Sequence, residues 1–152
     1  MNQIILLGHV MFGVTCLLAA LWVFVETLNA SESNLARIKI VSWLGAGVMW
    51  LSFVMGDYWY IVFYKRDRVL ILDGPWPAAH NLVMETKEHL VIILILLATY
   101  LPIVVATNNL AANRSARRLT LVVSGLVMLL ALLMEGEGGL VALGLKMALL
   151  AN

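Results

Sequence analysis

Two histidines of this chain, His9 and His89, lie at matching ends of two long apolar runs. The runs are the first and the third along the chain, so the helices they predict cross a bilayer in the same direction. At 1.5 Å per residue, His9 lies about 8 Å inside its helix. Facing helices of a bundle can supply the two axial ligands of a haem iron, one on each face of the macrocycle. We therefore predict that His9 and His89 bind one haem b, with His80 as the alternative to either ligand.

Two further residues are predicted to border this cofactor. An imidazole that binds a metal donates its other N–H group to an acceptor. Glu85 precedes His89 by four residues on the same helical face, which makes it the predicted acceptor. Trp76 lies in the preceding connection and is predicted to line a ring-shaped ligand. A non-haem carboxylate–imidazole metal site is the alternative, although the Glu-x-x-His spacing of four-helix di-iron proteins does not occur here.

Acidic residues inside apolar runs form a second set of candidates, because charged groups are costly in a membrane and mark functional sites. Asp57, Glu135 and Glu137 all project toward the end that carries His9. We predict that they transfer protons beside the cofactor or beside a quinone. Glycines at positions 136, 138 and 139 predict a break in the helix at Glu135–Gly139. The alternative is that this helix leaves the bilayer here.

These residues must be positioned by membrane helices. Hydrophobic residues make up 62% of the 152 residues and charged residues 12%, and the mean hydropathy is +0.95. A bilayer core is crossed by about 20 apolar residues, and the chain contains four such runs. We predict an all-α fold: an integral membrane four-helix bundle, up-down-up-down, as a single transmembrane domain over 1–152. Its helices are predicted at approximately 4–28, 38–64, 78–107 and 118–150.

An even number of crossings places both termini on one side of the membrane, which we call side A. The long 65–88 connection is also on side A, and the two short loops are on side B. The first helix starts without a basic residue and is followed by Arg37 and Lys39, which favours side B as the cytoplasmic side. Both termini are then expected outside, in the periplasm, with the protein in a bacterial or archaeal inner membrane. The first run is predicted to be a retained helix, because it lacks the basic start and cleavage site of a signal peptide.

The pattern resembles small four-helix membrane cytochromes of b type. The resemblance rests on an early histidine in the first helix, a Gly-Asp pair late in the second and a histidine entering the third, here His9, Gly56-Asp57 and His89. A second histidine pair toward side B is missing from this sequence. The resemblance therefore implies one haem b near one membrane face.

The sequence leads to three hypotheses for function. The first is a haem b electron-transfer subunit that links the quinone pool to a periplasmic redox partner, without being a complete enzyme. The second is a cofactor-free structural or assembly subunit of a larger membrane complex. The third is a small transporter in which Asp57 and Glu135 form the binding site. The expected partners are membrane lipid and other subunits or further copies of the chain, and no basic arm suggests nucleic acid.

Overall fold

The computed structural model describes residues 2–151, with side chains from residue 3, and every regular element in that range is helical. Two π-helical turns join α-helices without interruption, so that four continuous helices result. Each is long and apolar enough to cross a membrane, which confirms the all-α prediction with four membrane-length helices. The elements are α1 (Asn2–Leu28), α2 (Leu35–Trp59), a π turn (Tyr60–Tyr64), α3 (Lys65–Asp73), a π turn (Ala79–Met84), α4 (Glu85–Thr107) and α5 (Arg114–Ala151).

The second predicted helix is longer than its apolar run. It was expected to end at Tyr64, before a charged cluster, but it continues through α3 to Asp73. Lysine and arginine are good helix formers, so the end of hydrophobicity is not the end of the helix. The helix stops at Gly74, where the backbone becomes extended. The connection predicted over 65–88 is therefore confined to residues 74–78.

The break predicted at Glu135–Gly139 is absent, and α5 is continuous from Arg114 to Ala151. Each glycine costs a helix interior about 1 kcal/mol relative to alanine. Packing of α5 against its neighbours outweighs this local preference. The helix α5 contacts α1, α3, α4 and the second π turn.

The helices are arranged so that α1 and α4 lie diagonally across the bundle. Each of them packs against both α2 and α5. The core toward side B is built from small and medium apolar side chains, and α1 and α2 approach closely where Gly45 faces Ala19. A cavity beside this contact, lined in part by Cys16, Ala20 and Ala98, measures about 10 Å³. This is at the lower limit for one water molecule, so this half of the bundle is closely packed.

Large apolar side chains cover the outer surface of the bundle. Ile4 is 73% exposed, Leu44 61%, Leu96 64% and Leu132 59%, and each lies on a different helix. Monomeric soluble proteins rarely expose such extended apolar areas. The outer surface is compatible with contact to lipid.

Because α1 and α2 are in close contact at Gly45 but not at Gly47, the same substitution at these two glycines of α2 should change the stability differently. A Cβ atom at Gly45 would lie 3.1 Å from the Ala19 Cβ atom, whereas a Cβ atom at Gly47 would have nothing within 4 Å. Gly45→Leu should lower the free energy of unfolding by about 1–3 kcal/mol, because it overpacks the contact. The matched control Gly47→Leu should leave it unchanged or raise it. Unfolding in detergent followed by circular dichroism measures both, and equal effects would contradict this packing.

Candidate functional site

A group of polar side chains meets inside the bundle at the level of His9. It consists of His9 on α1, Ser52 on α2, Lys87 on α4, and Glu135 and Glu137 on α5, and we call it the polar layer. Each of the four membrane-length helices contributes at least one member. Such groups are rare within apolar bundles and point to a function.

His9 and Ser52 join α1 to α2 through reciprocal hydrogen bonds. The Nδ1 atom of His9 lies 2.8 Å from the Ser52 carbonyl oxygen, to which it donates. The Ser52 hydroxyl donates to the His9 carbonyl oxygen at 2.8 Å and also lies 3.1 Å from Nδ1. With its proton on Nδ1, the neutral imidazole keeps a lone pair on Nε2 that can accept a proton.

Lys87 provides the positive charge of the polar layer. Its ammonium group is close enough to Glu135, Glu137 and His9 for their charges to interact. A half-buried charge such as Lys87 is stabilised by such partners, because the interior does not fully replace the lost hydration. One atom, Oε2 of Glu137, is buried and has no hydrogen-bond partner among the described residues.

The charges of the polar layer do not cancel when both carboxyl groups are ionised. Lys87 contributes one positive charge and Glu135 and Glu137 two negative charges. Carboxylates that share a site of low polarity resist ionising together. The layer is thus best balanced when it holds one additional proton, which Glu135 or Glu137 can carry.

Glycines on neighbouring helices make room for these side chains. The His9 ring lies against Gly56, where a Cβ atom would be 2.6 Å from Nδ1. The Glu135 carboxylate reaches across to Gly13 of α1, and the Lys87 ammonium lies over Gly138, 3.0 Å from an added Cβ. The glycines of α5 that predicted a break therefore include one that accommodates Lys87.

The structure does not bring His89 to the position predicted for it. Lys87 and His89 are two residues apart on a regular helix, which places them about 200° apart around its axis. Since Lys87 faces the interior, His89 faces outward and is exposed. Its Nδ1 atom donates to the Glu85 carbonyl oxygen at 2.6 Å, so the expected acceptor residue acts through its main chain and not through its carboxylate.

Lys87 thus occupies the interior position that was predicted for His89. Across the bundle from His9 lies Lys87, and the His9 ring is held in the contact between α1 and α2. Within one chain, His9 and His89 do not fit the two faces of a shared haem. The described residues also contain no group of three or more His, Cys, Asp or Glu side chains arranged to hold a metal ion.

The remaining candidates lie outside the polar layer. Asp57 is exposed on α2. His80 is buried, 2% exposed, and its Nδ1 atom is 3.2 Å from the Tyr64 hydroxyl. Trp76 is half-buried, packs with the cluster around Tyr64 and lies over Gly144 of α5.

Sequence reasoning missed Lys87 and Ser52. The sequence does indicate that Lys87 faces the interior. Intervals of four and three residues relate it to the apolar residues Val91, Leu94, Ala98 and Leu101. This interval defines one helical face, and its apolar members are buried or half-buried.

No family model, curated protein sequence or solved structure matches the chain. The function is therefore inferred from the geometry of the site.

The glycine under His9 provides a test of the polar layer. In Gly56→Ala, the new Cβ atom should displace the imidazole ring and break its bonds to Ser52, which should cost about 1–3 kcal/mol of stability. Gly47→Ala on the same helix meets nothing and should stabilise the helix by up to about 1 kcal/mol. Thermal unfolding in detergent gives the difference, and ¹⁵N NMR of the His9 ring reports its hydrogen bond. An unchanged His9 spectrum in Gly56→Ala would contradict the geometry.

Proposed function

We propose that the chain is an integral membrane protein, arranged up-down-up-down, whose polar layer binds and releases protons at one membrane face. Its apolar exterior and its four membrane-length helices support the membrane assignment. Contacts between the start of α1 and the end of α2, such as Gly8 with Met55, support the alternating direction. The inner membrane of a bacterium or archaeon, with both termini in the periplasm, is the proposed location.

The depth of the polar layer follows from helix lengths. A bilayer core takes about 20 helical residues. Counted from the side B ends of α1 and α4, at Leu28 and Thr107, this length reaches Gly8 and Lys87. The polar layer then lies at the boundary of the hydrocarbon core on side A.

The interior toward side B is mainly apolar, with buried side chains that include Leu94, Ala98, Val127 and Ala131. Three buried hydroxyl groups there each donate to a carbonyl oxygen of their own helix: Ser42, Thr120 and Ser124. These hydroxyl groups do not form a chain of hydrogen bonds from the polar layer to side B. The polar layer is therefore open to exchange from side A, and the chain acts as a subunit and not as a complete proton channel.

The observation that carries this proposal is the position of Lys87 with Glu135 and Glu137. One cation between two carboxyl groups holds one exchangeable proton in a site of low polarity. A quinone carries both protons and electrons within the bilayer, and we propose it as the class of partner that exchanges protons with this site.

Infrared spectroscopy of the protein in liposomes tests the exchangeable proton. The wild type should show a protonated carboxyl C=O band that titrates with pH. The double variant Glu135→Gln/Glu137→Gln should lose this band, and the exposed control Asp57→Asn should retain it. Lys87→Met should increase the band about twofold, since both carboxyl groups become protonated without the cation. A band that survives in the double variant, or no band in the wild type, would overturn the proposal.

A haem b-binding electron-transfer function is the second candidate, and one observation favours it. The bond from His89 Nδ1 to the Glu85 carbonyl oxygen leaves Nε2 as a ligand atom on the outer surface of α4. This orientation is the one in which a backbone acceptor fixes a metal-binding imidazole. His89 would then share the haem with a partner subunit or a second copy, and the haem would carry one electron.

The absorption spectrum of the purified protein tests this second candidate. A b-type Soret band should disappear in His89→Ala and persist in His9→Ala, because His9 is engaged between α1 and α2. Loss of the band in His9→Ala with retention in His89→Ala would count against it. A colourless protein with no titrating carboxyl band would instead favour a structural or assembly subunit.

A further inference from the structure

The last part of α5 extends past the polar layer on side A. Arg117 donates from Nε to the Thr27 carbonyl oxygen at 2.9 Å, so Arg117 lies level with the side B end of α1. Counted from Arg117, a bilayer core of about 20 residues ends at Glu137. Residues 138–151, which we call the extension, are helical and reach about 21 Å farther. The headgroup region is only about 5–8 Å thick, so the extension projects into water.

The extension exposes an apolar stripe at a distance from the membrane that lipid does not reach. Its members follow one another at intervals of three and four residues: Leu140, Leu143, Met147 and Leu150. Leu143 is 47% exposed, Met147 38% and Leu150 78%. Lys146 is the only charged residue between positions 138 and 151. A soluble surface rarely presents so continuous an apolar area without a partner.

The helix that leaves the membrane beside α5 has a different surface. It continues as α3, which exposes three basic side chains and one large apolar side chain: Lys65, Arg66, Arg68 and Val69. Composition therefore changes from apolar to charged where this helix enters water. It does not change in this way along α5, so the exposed stripe of α5 is suited to contact with protein.

A second copy of the chain fits this stripe. Two copies in one membrane have the same orientation, so a two-fold axis along the membrane normal brings their α5 helices together in parallel. Each residue of the stripe then lies opposite its own counterpart. The stripe carries no charge, so like charges do not oppose this pairing. Its intervals of three and four residues are those at which two helices in a left-handed pair stay in contact.

The stripe continues within the membrane, which makes the contact long enough for a dimer. Exposed residues follow the same intervals back to Leu119, and they are leucine or valine except at Gly136. A Cβ atom at Gly136 would have nothing within 4 Å, so this position leaves room for a second helix. Contact from Leu119 to Leu150 covers about 47 Å of helix at a width of about 10 Å, or roughly 1,000 Å² over both copies, which reaches the lower limit of a specific interface.

We propose that the chain forms a parallel dimer through this stripe of α5, both within the membrane and in the extension. The inference rests on the membrane insertion in the proposed function and does not depend on proton exchange. Gly136 lies between Glu135 and Glu137 in the sequence. The dimer therefore places two polar layers at the same depth, on either side of the paired α5 helices.

Disulfide cross-linking of the purified protein in liposomes tests the dimer. A disulfide requires Cα atoms within about 7 Å of each other, and the native Cys16 is buried in the core, so an introduced cysteine reports on its own position. Leu143→Cys should give a covalent dimer on mild oxidation. The matched control Ala142→Cys is exposed on the same helix but points about 100° away, and it should remain monomeric.

A charge at the same position provides a second test. Leu143→Glu places two like charges opposite each other in the dimer, and their repulsion should weaken association by about 100-fold or more. Ala142→Glu should leave association unchanged. Energy transfer between fluorescently labelled copies in liposomes, at varied ratios of protein to lipid, measures both variants.

Equal cross-linking at positions 142 and 143, no cross-linking in Leu143→Cys, or unchanged association in Leu143→Glu would overturn the dimer while the membrane assignment remains. Extraction of the wild-type protein from membranes by alkaline carbonate would instead refute the membrane assignment, and the dimer with it.

Discussion

The arrangement of this bundle depends on one interaction, the electrostatic attraction between the half-buried Lys87 ammonium and the half-buried carboxyl groups of Glu135 and Glu137. An isolated charge inside an apolar bundle is strongly unfavourable, whereas opposite charges held together offset much of that cost. Lys87 lies on the same face of α4 as the buried Leu94 and Leu101, so the interaction and the apolar packing favour the same rotation of α4. That rotation places His89 on the outer surface.

Small residues make this interaction possible. His9, Glu135 and Lys87 each lie over a glycine of a neighbouring helix, so the polar side chains fit without separating the helices. In the half toward side B, Gly45 and Ala19 serve a different purpose, which is the close approach of α1 and α2. The same residue type thus supports polar contacts in one half of the bundle and tight apolar packing in the other.

Hydrophobicity was sufficient to predict four membrane-length helices and an all-α fold. Hydrophobicity did not predict the end of the second helix, because that helix is longer than its apolar run. The segment α3 carries Lys65, Arg66 and Arg68 and is nevertheless helical. The glycines at Glu135–Gly139 wrongly predicted a break in α5, because tertiary packing outweighs the low helix propensity of glycine. The concentration of polar groups toward one end was visible in the sequence, and at that end Lys87 interacts electrostatically with His9, Glu135 and Glu137.

Which residues belong to the polar layer was harder to predict than the position of the layer along the helices. A helix of known length fixes how deep a residue lies, but its facing direction depends on rotation about the axis. Lys87 and His89 differ by two residues and hence point to opposite sides. The spacing of three and four residues that relates Lys87 to Leu94 and Leu101 indicates which face of the helix is buried. The suitability of two histidines as haem ligands does not indicate which way they face.

The facing direction of Lys87 is therefore the claim to be measured. Solid-state NMR of the protein in lipid bilayers can detect the dipolar coupling between the ¹⁵N-labelled side chain of Lys87 and the ¹³C-labelled carboxyl groups of Glu135 and Glu137. The account requires a measurable coupling to at least one carboxyl carbon, with exchange of the Lys87 amine protons slower than that of an exposed lysine. A Lys87 side chain that shows no such coupling and exchanges freely with water would contradict it.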